Sequence, residues 1–336
     1  MRLRFGLWYD FRNPAAWRQP WERLYQETLE QVAWADSLGF DSVWLSEHHF
    51  TDDGYLPAIF PMLAALAMRT SRLRLGTAVL LAPLHHPLRL AEDAAVVDVL
   101  SGGRLELGLA PGYRAKEFAL LGVPRAERGR RTDETIEIVQ AAWHGRPFSY
   151  RGRYFQFDDA VVTPPPLQRP HPPIWVGGGS RAAAERAGRH GCHFLPDADA
   201  PAELCERYRA ELAANGHDPA HFSVAITQAI YVCEDPERGW QEVKEHYRYM
   251  ANRYRQWYAA TPAEAANGLL TQAGELARDD YLVGTPAMVT AGIARLQQEF
   301  PFDRLIFWAR PPGLPIERSA RSLELFAQQV LPHFAS

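Results

Sequence analysis

The segment Trp44-Leu45-Ser46-Glu47-His48-His49-Phe50-Thr51 sets one carboxylate and two imidazoles in a row. An imidazole exchanges protons near neutral pH, and a neighbouring carboxylate can orient the ring and fix its tautomer, so Glu47 with either His48 or His49 is a candidate catalytic set. Spacing alone also allows capping or surface histidines. A metal centre is not expected: adjacent residues on an extended strand point to opposite faces, and no third ligand is evident. A second pair, His85-His86, precedes Pro87, a residue suited to the first turn of a helix, and reads as a structural loop.

The run Ile174-Trp175-Val176-Gly177-Gly178-Gly179-Ser180-Arg181 has different chemistry. Glycines let backbone N–H groups approach a ligand closely, and a following helix N-terminus favours negative charge. Ser180 and Arg181 add a hydroxyl and a cation, which makes the turn a candidate phosphate cradle. A purely steric role for the glycines is the other reading. Gly108-Leu109-Ala110-Pro111-Gly112-Tyr113 leads into Arg114, Lys116, Arg125, Arg128, Arg130 and Arg131; these form a solvated face, or Arg128 turns to a phosphate.

Such groups need a scaffold that brings strand ends together. Strand-like runs recur at Leu3 to Tyr9, Ser42 to Leu45, Leu73 to Leu81, Arg104 to Leu109, Ile174 to Val176, Cys192 to Leu195, Ser223 to Val232 and Arg304 to Trp308. Helical periods lie near Glu22 to Leu38, Pro57 to Arg69, Pro87 to Leu100, Asp133 to Trp143, Arg181 to Arg189, Pro201 to Asn215, Pro236 to Trp257, Thr285 to Phe300 and Arg318 to Leu331. Such alternation requires a mostly parallel sheet, and eight units favour a closed (β/α)8 TIM barrel, with chemistry where strands end. Two long stretches, Gly145 to Pro173 after the fourth helix and Tyr258 to Tyr281 before the last strand, are the expected insertions, acting as lids or binding loops. No internal boundary is evident, so residues 1–336 are taken as one barrel domain.

Composition narrows the partners. Of 336 residues 47% are hydrophobic and 23% charged, the balance of a globular protein. The net charge of -4, from 36 basic and 40 acidic residues, gives no general attraction to nucleic acid or to an anionic membrane. No apolar run approaches the roughly 18 residues of a membrane span, and the first residues lack a secretory pattern. Three scattered cysteines, Cys192, Cys205 and Cys233, suit reduced thiols in a cytoplasm.

Three ordered segments carry a family resemblance: Gly39-Phe40-Asp41-Ser42-Val43-Trp44-Leu45-Ser46-Glu47-His48-His49-Phe50-Thr51; Leu75-Gly76-Thr77-Ala78-Val79-Leu80-Leu81-Ala82-Pro83 with His86-Pro87; and Asp98-Val99-Leu100-Ser101-Gly102-Gly103-Arg104. Together they resemble the bacterial luciferase-like family of flavin-dependent oxidoreductases, over Phe5 to about Ala198 and again from Gly284 to the C-terminal helix. The resemblance implies a barrel with insertions and a flavin at the C-terminal strand ends. It places His48 near the reactive edge of the flavin and a non-prolyl cis peptide at Ala78-Val79 under the ring; Glu47, beside His48, is the expected orienter. It sets the phosphate near Gly178, Gly179 and Ser180, with Gly177 in the same turn. Ala110 and Pro111 replace the cysteine and arginine of luciferases themselves, so one phosphate cation is missing or is supplied by Arg128 or Arg181, which favours a monooxygenase over a light emitter.

The expected activity is monooxygenation with reduced FMN, supplied by a separate flavin reductase, and O2, on a small organic substrate. Trp8, Phe50, Tyr55, Phe60 and Tyr113 at the mouth suggest an apolar or aromatic substrate, or contact the flavin ring. The alternatives are an F420-dependent oxidoreductase of the same fold and a flavin-binding protein without turnover. A homodimer is expected from the family.

Overall fold

A computed structural model describes residues 2–197, 200–259 and 268–334 of the chain. Residues 198 and 199, where the first stretch of resemblance ends, and 260–267, inside the segment from Tyr258 to Tyr281, lie outside the described residues.

The two-residue period of strands explains the first element. In β1 (Arg4–Tyr9), Phe5, Leu7 and Tyr9 pack under the outer helices, while Trp8 turns into the barrel among Trp44, Ala78, Trp175 and Ile306. The other barrel strands are β2 (Ser42–Leu45), β3 (Arg74–Thr77), β4 (Leu105–Ala110), β5 (Ile174–Gly177), β6 (His193–Leu195), β7 (Ala225–Gln228) and β8 (Arg304–Trp308). They pair in parallel in the order β7-β8-β1-β2-β3-β4-β5-β6, and a bridge from Phe194 to Val224 joins the two ends of that row. This is the expected (β/α)8 TIM barrel. Its interior is filled by side chains: Trp44 lies so close to its neighbours that a Cβ at Gly76 would sit 2.2 Å from the indole and one at Gly6 2.7 Å.

The helices are α1 (Trp21–Ala35), α2 (Ile59–Arg69), α3 (Pro87–Leu100), α4 (Ala115–Leu120), α5 (Arg128–Ala142), α6 (Arg181–Arg189), α7 (Glu203–Ala214), α8 (Pro236–Tyr258), α9 (Pro286–Glu299) and α10 (Ile316–Gln329). Pro87 opens α3 as its type predicts, Ser180 caps α6, and Asp235 caps α8 through the N–H groups of Glu237 and Arg238. Among the described residues no helix is long and apolar enough to cross a membrane.

Four local expectations change. The run Leu73 to Leu81 is interrupted at the Ala78-Val79 bond, which is cis as the resemblance implied; Leu80–Leu81 then pairs with the end of β4. The run Ser223 to Val232 also divides, since Ile230–Val232 leaves the barrel to pair with Leu282–Gly284 in a separate two-stranded sheet. The insertion Gly145 to Pro173 holds an antiparallel hairpin, Phe148–Arg151 with Gln156–Ala160. Finally, α5 begins at Arg128 rather than Asp133, and α4 was not foreseen.

Candidate active site

The ends of β1, β2, β3, β4, β5 and β8 surround a cavity of about 490 Å3. Glu47, His48, Ala78, Val79, Tyr113, Arg128, Gly177, Gly178, Gly179 and Ser180 all line it, so the structure gathers most residues singled out by sequence. Arg181 is the exception. Its guanidinium pairs with Glu185 at 2.7 Å on the outer face of α6, where its side chain is 72% exposed, because position 181 begins the helix on its solvent side. Of the expected aromatic mouth, Trp8, Tyr55 and Tyr113 line the cavity, whereas Phe60 packs against the core and Phe50 is exposed.

His48 is buried, and its Nδ1 lies 2.9 Å from Oε1 of Glu117. The same oxygen accepts the backbone N–H of His49 at 2.8 Å and Nη1 of Arg114 at 2.8 Å. Glu117 therefore takes the orienting role expected of Glu47. Burial lowers the His48 pKa, opposed by Glu117, and the net shift is downward, so the ring is neutral at pH 7. With Nδ1–H donating to Glu117, Nε2 keeps its lone pair toward the cavity, 3.5 Å from the Tyr113 hydroxyl. Glu117 sits on the short helix α4; the sequence reading passed over it because it stands among cations. Its signal was Arg114-Ala115-Lys116-Glu117-Phe118, in which an acid three residues after Arg114 can share its charge.

Glu47 belongs to another cluster. Its Oε1 accepts from Nε2 of His49 at 3.0 Å and of His85 at 2.8 Å, and its Oε2 accepts the Leu81 N–H at 2.7 Å. Burial alone would raise its pKa, but the charge on His85 and both imidazole hydrogen bonds bring it down to about 2. His85 moves the other way: burial would lower its pKa, and Glu47 raises it instead. One ligand atom from each of Glu47, His49 and His85 lies within 4.8 Å of the other two, so the third partner that spacing did not reveal is His85, folded back from 38 residues away. Hydrogen bonds already join all three.

The glycine turn differs from a simple cradle. The Gly178 N–H donates to Leu195 O at 3.1 Å and the Gly179 N–H to Oδ2 of Asp197 at 2.8 Å, so neither is open to a ligand in this arrangement. Ser180 Oγ accepts the Ala183 N–H. Gly177 has a steric reason, as a Cβ there would lie 2.7 Å from Val79 Cγ1. Positive charge at this end comes from Arg128, Arg186 and the N-terminus of α6. Arg186 carries no signal of its own in the sequence. It is buried and fixed by Asp133 at 2.8 Å and by Gly129 O at 3.1 Å, one helical turn beyond Arg181. Burial would raise the Asp133 pKa, but hydrogen bonds from His190 and Arg186 hold it near 2.

The C-terminal end of α8 covers the opposite end. Tyr258 stacks on Tyr113 at 4.3 Å, Trp257 lies 4.7 Å from the His48 ring, and the Arg114 guanidinium sits 4.3 Å from the Trp257 ring. Tyr55 and Tyr254 complete this wall, and Trp8 stacks on Trp308 at 4.0 Å below it. On the same helix Tyr247 and Met250 are buried in a core cluster.

A flavin fits these residues. A cationic end suits its phosphate, an aromatic and largely apolar end suits its ring system, and Gly177 beside Val79 keeps the wall between them thin.

Comparison with known proteins agrees. The luciferase-like monooxygenase family model matches residues 3–303. The oxygenase component of a flavin-dependent trigonelline monooxygenase from Acinetobacter baylyi is 28% identical, with 99% of this chain and 96% of that protein aligned. A monooxygenase from Streptomyces bottropensis, of known structure, is 31% identical and superposes with a TM-score of 0.87 over 99% of this chain and all of its own. An F420-dependent glucose-6-phosphate dehydrogenase from Microbacterium testaceum is 37% identical over 48% of this chain and 50% of its own.

Proposed function

The chain belongs to the luciferase-like monooxygenase family, and from that membership we propose that it is an FMN-dependent monooxygenase, the oxygenase partner of a separate flavin reductase, acting on a small organic substrate. The observation that carries this reading is His48: a buried, neutral imidazole, held by Glu117 through Nδ1, with Nε2 open to a cavity that has a cationic end.

Reduced FMN, when bound, supplies the electrons and the oxygen-activating chemistry. Arg128, Arg186, Ser180 and the start of α6 would hold its phosphate. Ala78, Val79, Trp8, Trp308 and Tyr113 would hold the ring. His48 Nε2 would accept and return a proton on the cavity side, and Glu117 keeps the tautomer in which that atom is unprotonated. Glu47 acts one step back, fixing the turn after β3 through Leu81. Tyr254, Trp257 and Tyr258 exclude water from the substrate end. The protein is proposed to work in the cytoplasm as a homodimer; Met68, Val96, Val99 and Leu100, exposed on α2 and α3, support the latter.

The test is an anaerobic fluorescence titration with reduced FMN, oxidised FMN and reduced F420, followed by mixing with O2. Reduced FMN is expected to bind tightest. Tight binding of F420 with none of FMN overturns the reading in favour of hydride transfer, and binding of reduced FMN without any substrate-dependent O2 consumption favours a flavin carrier.

A further inference from the structure

The barrel end opposite the active site concentrates positive charge. Arg2, Arg4, Arg72, Arg74 and Arg304 line one recess of about 600 Å3 with Asp41. Three of them are the first residues of barrel strands: Arg4 of β1, Arg74 of β3 and Arg304 of β8. We propose that this recess binds a small multivalent oxyanion, a phosphate-bearing molecule, at a site separate from the flavin.

Part of the cluster has an internal explanation. Glu106, buried in the barrel, accepts from Nε of Arg74 and from Nη1 of Arg304 at 2.7 Å. It also accepts from the Trp175 indole at 2.8 Å, so both its oxygens are engaged. Burial would raise the Glu106 pKa, and the two guanidinium groups bring it down to about 2, so it stays ionised. This plug fixes Arg74 and Arg304 as cations in set positions. The Arg304 guanidinium lies 4.9 Å from the Trp175 ring and 5.5 Å from Trp44, and its Nε has no hydrogen-bond partner among the described residues.

The remaining arginines are not needed for the plug. Arg4 stands directly across the parallel ladder from Arg304, and like charges so placed repel. Among the described residues Arg4 has no carboxylate partner to relieve this. Arg2 reaches Asp41 only at 3.7 Å, while Asp41 Oδ2 accepts the Phe5 N–H. Arg72 donates to Asp36 O, and the Asp36 carboxylate is turned to the N–H groups of Ser71, Arg72 and Leu73. The nearby Asp303 is engaged by Ser223 and Val224. Five guanidinium groups thus face two carboxylates, in a chain whose overall charge is negative. Guanidinium forks match phosphate oxygens two at a time, and the three already fixed, Arg72, Arg74 and Arg304, lower the ordering cost of binding.

Isothermal titration calorimetry of the full chain with pyrophosphate at low ionic strength tests the site. With the active-site cavity filled by saturating FMN, saturable binding at one site is expected, weakened at least tenfold in Arg4→Gln/Arg72→Gln and unchanged in Arg238→Gln, which removes an exposed cation outside both sites. Without anion, Arg4→Gln should melt no lower than the wild type, since it removes a repulsion. Orthophosphate and ADP as further titrants distinguish an inorganic anion from a nucleotide, and either one binding with the same variant pattern supports the site. Absence of saturable heat overturns the proposal, as does equal affinity in the double variant. Heat with poly-glutamate but none with pyrophosphate also overturns it, in favour of an acidic protein partner.

Discussion

Glu47, His48 and His49 are neighbours in sequence and belong to two hydrogen-bond clusters of opposite character. His48 points inward to Glu117 and Arg114, is buried, and has a lowered pKa. Glu47 points to His49 and His85 on the other side of the same backbone, and there His85 has a raised pKa and is partly exposed. Consecutive side chains of an extended segment face opposite ways, so a motif read as one catalytic pair is two devices. One leaves a neutral nitrogen open to the cavity. The other pins the turn after β3 with an ion pair. The difference follows from what surrounds each ring: desolvation outweighs the carboxylate at His48, and the carboxylate outweighs desolvation at His85.

The sharpest way to break this division is at His48. A general acid or base typically contributes a factor of about 100 to 10,000, so His48→Ala should depress product formation by that order while reduced-flavin affinity changes far less. His48→Asn keeps a hydrogen-bonding group without a titratable proton and should restore little. Wild-type yield in both variants, measured by product and by stopped-flow absorbance, would move the role to His49 or His85.

Glu117→Gln comes next, with a rate loss of about tenfold or more for a misheld tautomer, and it carries a pH signature. Neutral His48 is the working form, and its lowered pKa sets the acid limb of the rate profile below the ordinary histidine value of 6.5. Glu117 is the group that raises this pKa against burial. Removing its charge should shift the acid limb further down. A limb that stays in place would mean that Glu117 does not act through His48.

These two residues show how far the sequence reaches. The barrel was readable because it rests on local periodicity: α3 and α6 begin and end at the expected residues, and each expected barrel strand is present at its core. Arg128 was reachable from its place among the cations after a strand, and His48 and the cis bond at Ala78-Val79 through a resemblance to one family. Glu117, His85 and Arg186 were not, since each is functional only through a partner 38 to 69 residues away. Side-chain direction also escaped the sequence: Arg181 and Arg186 differ in role because one begins the exposed side of α6 and the other its buried side. Backbone groups of the glycine turn were expected to be free, and only the fold reveals Leu195 and Asp197 on them.

In the second cluster the expected effects are on stability rather than chemistry. Glu47→Gln removes a charged acceptor from two imidazoles and a backbone N–H, and should cost about 1.5–3 kcal/mol by chemical denaturation near neutral pH. The folded carboxyl titrates near 2 against an ordinary value near 4.5. Its contribution is therefore present above pH 4.5 and lost as pH falls toward 2, so the gap between wild type and variant should close in acid. The pH profile of catalysis should keep its shape. A displaced acid limb in Glu47→Gln would return Glu47 to the catalytic cluster.

The smallest effect, and the finest division between the clusters, is expected at His85. Its pKa is raised in the folded protein, so its pairing with Glu47 stabilises fully below the unfolded value near 6.5 and fades as pH rises through the folded value. His85→Gln keeps a donor for Glu47 and loses only the charge, which for a partly exposed pair amounts to about 1 kcal/mol or less. Denaturation midpoints for wild type and His85→Gln should therefore be farthest apart near pH 6 and converge in alkali, the reverse of the acid-side convergence for Glu47→Gln. His48 gives the opposite sign again: with a lowered folded pKa it takes up a proton more readily when unfolded, so its contribution to stability declines as pH falls below 6.5. If His85→Gln instead changed the acid limb of catalysis and left the pH dependence of stability alone, the two clusters would be coupled through the backbone between Glu47 and His49, and the motif would act as one device after all.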